Sequence, residues 1–295
     1  MNYFAMSLLL LEHNITPRTL TLLALILSRC NKEPCRFLGR DLLLSASAIG
    51  EPTATIYLVD QGLKRKNLDF LKYNAPLAHL RTLAAPPHSN IEAMVLLGRV
   101  YESQNDEDKA LQLYRQAAST PPSTQREADT QFPLPGVGVA SALVHQGLIL
   151  ERHGNSSGAE AAFRKAALEH DDPTGYYHLA RLEKHSSSTQ ETHFLKAVSS
   201  GITAASTNLG QLHLERAKLE PAENKDQKAM QIKLAKEWLY LGATAGEGMS
   251  MLRLASVFVE EGKIESARKW LEMAEKSPDP KVTEMAKQME KSFQA

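Results

Sequence analysis

Cysteine, net charge and long apolar runs are what the 295-residue sequence has least of. Two cysteines, Cys30 and Cys35, cannot build a disulfide scaffold, and their C-x4-C spacing has no second pair to complete a four-ligand zinc site. Two free thiols in a reducing compartment are the expectation. The 34 Lys+Arg residues are balanced by 34 Asp+Glu, which argues against a broad electrostatic grip on nucleic acid or anionic lipid. The apolar runs Leu8–Leu11 and Leu20–Leu27, separated by Pro17, are each too short to cross a bilayer as a helix. A secretory signal is not evident, because the first residues lack a basic stretch. Residues 1–40 carry five basic side chains against two acidic ones, a bias like that of a mitochondrial presequence, so a mitochondrial location is preferred over the cytosol. For the segment itself, two packed helices joined at Pro17 are the preferred reading over a presequence. No alternating strand pattern and no Asn-Gly or Asp-Gly hairpin turn occurs. With 43% hydrophobic and 23% charged residues the chain is a folded one.

What is present is a repeat. A small residue, a bulky apolar residue four positions on and a second small residue three further recur as Ala110-Tyr114-Ala117, Ala159-Phe163-Ala166, Ala235-Leu239-Gly242 and Ala267-Leu271-Ala274. A looser copy is Gly39-Leu43-Ala46, and Phe194 and Ala197 keep half of the pattern. Offsets of four and three put all three residues on one helical face, where small neighbours let another helix approach and receive the large side chain. A second phrase alternates with the first, as Leu97-Gly98, Gln146-Gly147, Leu179-Ala180, Leu209-Gly210 and Leu254-Ala255. From its small residue to the closing small residue of the next helix the steps are 19, 19, 17, 32 and 19; the returns are 13 or 14, except for one of 30. The long return contains Pro121, Pro122, Pro133 and Pro135, which predicts an extended loop over 119–136. The long step, around Leu219–Lys225, predicts a longer helix or a charged loop.

These residues resemble the tetratricopeptide repeat family. Met94, Leu97, Gly98, Tyr101, Ala110, Tyr114, Ala117 and Pro122 follow its pattern, with Met94 where Trp is usual. Three other units, ending in Gly50, Gly201 and Gly246, resemble the Sel-one-like variety, each closing a helix with a glycine expected in the left-handed conformation. The resemblance covers roughly residues 39–280 and implies an all-α fold, a right-handed α-solenoid of about six or seven helix-turn-helix repeats. Residues 1–38 stand before it as a helical targeting or capping segment, and 281–295 follow as a polar capping helix. Ser188 with Glu191 reads as a capping box, and Asn105 or Asp106 as the cap of the helix carrying Tyr114.

Reactive constellations read as structural. Gly154-Asn155-Ser156-Ser157-Gly158 matches the nucleophile-elbow motif, but that chemistry needs a strand-turn-helix, and here helices flank a turn. His170, His178, His185 and His193 form no H-E-x-x-H pair, and Asp171 and Asp172 before Pro173 read as turn and N-cap residues. Gly242-x-x-x-Gly246-x-Gly248 lacks the strand and Lys-Ser/Thr of a phosphate loop. Lys64-Arg65-Lys66 reads as a solvated helix end. No catalytic residue, metal or cofactor is therefore expected; the rival is a hydrolase or metal-dependent enzyme on a helical scaffold, using Ser156 or the histidines.

Stacked hairpins leave the first helices lining a concave face. Polar residues there are the candidates for contact with a peptide or helix of a protein partner: Glu92, Arg99 and Glu102; Tyr177, Arg181 and Lys184; Thr207, Asn208 and Gln211. Met249, Leu252, Ser256 and Val259 form an apolar end. The resemblance also allows a test for the clamp with which some relatives hold chaperone C-termini. The relevant places hold Val95 and Arg99, Val144 and Leu148, Tyr177 and Arg181, so the clamp pattern is absent. Irregular repeat lengths do not suit a one-base-per-repeat RNA reader, and no nucleic-acid partner is expected.

Overall fold

The computed structural model describes residues 15–68, 71–121, 136–183 and 188–292. The described residues are helical throughout, with no strand. The helices are α1 (Pro17–Ser28), α2 (Glu33–Ala48), α3 (Pro52–Lys64), α4 (Asn74–Ala84), α5 (Ile91–Ser103), α6 (Glu107–Ser119), α7 (Val139–Arg152), α8 (Ser156–His170), α9 (Pro173–Leu182), α10 (Ser188–Ser199), α11 (Ala204–Leu219), α12 (Lys225–Thr244), α13 (Gly248–Glu260), α14 (Ile264–Ala274) and α15 (Pro280–Ser292). They fall into two compact units, residues 1–162 and 163–295, divided within α8. No helix among the described residues is long and apolar enough to cross a membrane.

In the first unit α1/α2, α3/α4 and α5/α6 pair as hairpins, and α7 packs on α6. The pairing of α1 with α2 carries the array further toward the N-terminus than the resemblance did, and the boundary expected between 38 and 39 falls inside α2. Here the small residue is Gly39, where a Cβ would lie 2.8 Å from the Ala24 carbonyl oxygen. Packing of α1 against an earlier helix across Pro17 and most of the 119–136 loop lie outside the described residues. In the second unit α9/α10, α11/α12 and α13/α14 pair, and α15 packs on α13 and α14, burying Val282 and Ala286.

The repeated phrases are where hairpins nest. Ala110, Tyr114 and Ala117, and likewise Ala159, Phe163 and Ala166, are fully buried. A Cβ at Gly98 would sit 2.5 Å from Tyr114 Cε1, and one at Gly210 2.5 Å from Leu239 Cγ. Gly98 and Gly210 of the second phrase are thus the holes for bulky residues of the first. Gly50, Gly201 and Gly246 take φ of 88°, 92° and 89°, the left-handed turn that releases the chain into the next helix. The long step is made of helix: α11 has 16 residues and α12 has 20. Their extra turns bury His213 Nδ1 against Gln231 Oε1 at 2.8 Å.

Two of the units closed by a left-handed glycine share a clamp that the sequence did not announce. After Gly50, the N-cap Glu51 accepts hydrogen bonds at Oε2 from the Ala54 amide (2.6 Å) and from the Thr21 hydroxyl of α1 (3.1 Å). After Gly246, Glu247 Oε2 accepts from the Ser250 amide (2.5 Å) and the Thr207 hydroxyl of α11 (2.6 Å). One carboxylate therefore caps its own helix and holds the first helix of the preceding hairpin. Glu247→Ala is expected to cost about 2 kcal/mol, from the lost cap and from buried hydroxyls left short of an acceptor. Chemical denaturation of Glu247→Ala beside an exposed control, Glu223→Ala, measures this; equal stability of the two would refute the clamp.

Candidate functional site

The candidate contact residues divide between the units. On α5 the structure turns two of them inward. Arg99 Nη1 donates to Asp60 Oδ1 of α3 at 3.2 Å, and Asp60 is buried. Glu102, with its side chain 19% exposed, is the centre of a network. It accepts from the Tyr114 hydroxyl at 2.7 Å, from His145 Nδ1 at 2.9 Å and from Arg152 Nη2 at 3.1 Å. Burial alone would raise its pKa, but the hydrogen bonds from His145 and Tyr114 overcome that and hold the carboxyl at about 2. Arg152 and His153 also pair with Glu107, at 2.7 Å each. This constellation ties α5, α6 and α7 together. Glu92 lies in the first turn of α5, partly buried.

The remaining candidates lie on the second unit. Arg181 of α9 and Asn208 and Gln211 of α11 line one shallow cleft of about 140 Å³. Its floor is Phe194 and Leu212, with Gln190 buried beside them and donating to the Ala180 carbonyl at 3.0 Å. Tyr177 packs on Phe194, ring centroids 6.2 Å apart, and carries the Arg181 guanidinium 6.0 Å above its ring. Gln211 donates to Glu215 at 2.8 Å and accepts from Arg253 of α13. The arrangement is a polar rim over an aromatic floor, suited to one inserted side chain and hydrogen bonds along an extended backbone. Lys184 and His185 lie outside the described residues.

Other expected contact positions are corrected by burial. Thr207 is only 6% exposed and belongs to the Glu247 clamp. Leu252 is core, and Met249 and Val259 pack against the same cluster, so the apolar end is largely interior. Glu191 does not close a capping box: its carboxylate accepts from Arg216 at 2.6 Å, a partner 25 residues away.

The reactive motifs resolve into architecture. Ser156 opens α8 after a turn in which Gly154 has φ 75° and Asn155 Oδ1 accepts from the Gly158 amide at 3.0 Å. Asp172 caps α9, accepting from the Gly175 amide at 2.7 Å, and Asp106 caps α6. No group of three His, Cys, Asp or Glu among the described residues could hold a metal ion. His145 stacks on Tyr114 at 5.2 Å and His178 on Phe163 at 4.9 Å. In both cases the bulky residue of one repeat is roofed by an imidazole from the helix after it.

Residues 93–127 match the family model for the tetratricopeptide repeat. None of the curated proteins matches the chain. Among solved structures, one similar fold is c5321, a protective antigen of uropathogenic Escherichia coli displaying an SLR fold, with 19% identity, a TM-score of 0.64 and 95% of this chain covered. The chain spans 58% of that antigen's length. A Sel1 repeat protein from Oxalobacter formigenes is 16% identical, with a TM-score of 0.41 over 92% of this chain and 86% of its own. The first of these carries the fold assignment. With paired helices nested on small residues and closed by left-handed glycines, the chain has a helical-repeat solenoid fold similar to that of the SLR-fold antigen, and one of its hairpins matches the tetratricopeptide repeat.

Proposed function

We propose that the chain is a non-catalytic scaffold or adaptor for protein–protein interaction, an assembly factor or subunit of a larger complex. It holds a peptide or amphipathic helix of its partner across α9–α11. The observation that carries this reading is the convergence of Arg181, Asn208 and Gln211 over the Phe194 floor. Polar groups on a rigid helical platform, beside an apolar depression, supply backbone hydrogen bonds and one anchoring side chain without any reactive group. Tyr177 supports the rim by holding the Arg181 guanidinium.

The test is affinity capture with the tagged full chain and with an Asn208→Ala/Gln211→Ala variant, partners being identified by mass spectrometry. Both side chains sit at a cleft rim and are only partly buried, so melting should stay within about 1 kcal/mol of the parent. Expected is loss of at least one partner that the parent retains. Recovery of the same partners in the same amounts would remove the cleft from the interaction surface.

A further inference from the structure

The larger cleft lies in the first unit, and the sequence reading assigned it nothing. It holds about 310 Å³, lined mainly by α2 and α3 and also by Tyr73. Three guanidinium groups line it, Arg36 and Arg40 from α2 and Arg65 from α3, against a single lining carboxylate, Glu33. In a chain of zero net charge this is a local concentration of positive charge. Apolar surface accompanies it: Phe37 is 49% exposed, and Tyr57 and Leu43 contribute to the walls.

Arg40 is the arginine whose surroundings are most fully defined. Its guanidinium carbon stands 5.3 Å from the centre of the Phe37 ring, so the group is packed on that aromatic. Its Nη2 lies 3.6 Å from Asp41, a pair open to solvent. Its Nε, by contrast, is buried and has no hydrogen-bond partner. The side chain as a whole is 40% exposed, so an incoming carboxylate meets the solvent-open part of the guanidinium and not the buried Nε. A guanidinium packed through its face keeps its edge for planar, two-point recognition of a carboxylate.

We propose that this cleft binds an acidic peptide segment of a protein partner, with a carboxylate side chain seated on Arg40 between Arg36 and Arg65 and a neighbouring aromatic or leucine side chain against Phe37 and Tyr57. This extends the scaffold reading to a second site, on residues separate from those of the α9–α11 cleft. Because guanidinium stays charged at all ordinary pH values, the affinity is governed by salt and by the ionisation of the peptide.

The probe is a fluorescein-labelled peptide Glu-Glu-Phe-Glu-Glu with its C-terminus blocked, titrated with the full chain by fluorescence anisotropy. Expected is saturable binding that weakens as salt rises. Arg40→Gln should weaken it about tenfold, and Arg65→Gln, at an exposed helix end where folding is not at stake, about threefold or more. Replacing the peptide's Phe by Ala should also weaken it, and replacing its Glu residues by Lys should abolish it. Asn208→Ala/Gln211→Ala should leave it unchanged. No binding up to about 1 mM, or binding indifferent to both arginine variants, overturns the proposal while leaving partner capture through α9–α11 to stand or fall by itself. Displacement by inorganic phosphate at matching concentrations, together with indifference to the Phe, overturns it in favour of a simple anion site.

Discussion

Gly98→Trp is expected to abolish cooperative unfolding of the first unit, and Ala166→Trp that of the second. At Gly98 even a methyl group is too much, since a Cβ would come within 2.5 Å of Tyr114 Cε1. The ring cannot retreat: its hydroxyl is held by Glu102 at 2.7 Å and its face is stacked on His145. Gly98→Ala should therefore cost about 2 kcal/mol by overpacking, and the indole far more than the unit can absorb. Ala166 is fully buried, and its Cβ lies 2.9 Å from where a Cβ at Gly175 would stand. Thermal melting followed by circular dichroism reads both variants, and hydrogen exchange locates the loss to one unit. Tyr114→Leu placed with Gly98→Ala should recover part of the cost, because the smaller side chain vacates the contact; strict additivity would mean that the two do not touch. Melting of both tryptophan variants like the parent would remove the hairpin register altogether.

The second large effect is a dependence of stability on pH carried by Glu102. Its folded pKa of about 2 lies below the ordinary 4.5, so the ionised form is favoured by folding. The stabilisation is complete above pH of about 4.5 and is lost as pH falls toward 2. Allowing for the partial exposure of the group, it amounts to about 2 kcal/mol. Glu102→Gln keeps the shape and removes the charge, leaving the Tyr114 hydroxyl, His145 and Arg152 facing an amide. Urea unfolding at pH 7 should show the variant weaker by about that amount, and at pH near 2 the two proteins should converge. A gap that persists unchanged at low pH would mean that packing, not ionisation, is what Glu102 supplies.

Gly98 and Glu102 show where sequence reasoning succeeded and where it did not. Offsets of three and four set Ala110, Tyr114 and Ala117 on one packed helix face, and the recurring small residue marked Gly98 as a close helix crossing; that Gly98 and Tyr114 meet each other is shown by the packing. Glu102 looked like a residue for partners, since a carboxylate on a first helix is normally solvated. What drew it inward were Tyr114, His145 and Arg152, up to 50 residues away, and no local pattern reports such a meeting. Thr207 failed for the same reason, its partner Glu247 being 40 residues on. A Gly-Glu pair at Gly50-Glu51 and Gly246-Glu247 was a usable signal for that clamp, and it is visible only once the left-handed glycine is known to hand the chain to a glutamate cap.

The sequence by itself determined the helices, their order and the turns at Gly50, Gly201 and Gly246. Those depend on backbone preference and on offsets within a single helix, which short-range steric rules set. Only the tertiary structure decided which polar side chains face a partner and which face one another, gathering Arg181 with Asn208 and Gln211, and Arg36 and Arg40 with Arg65. The physical reason is that a side chain's solvation depends on groups brought near by packing, so its availability is a property of neighbouring helices together and not of the helix that bears it.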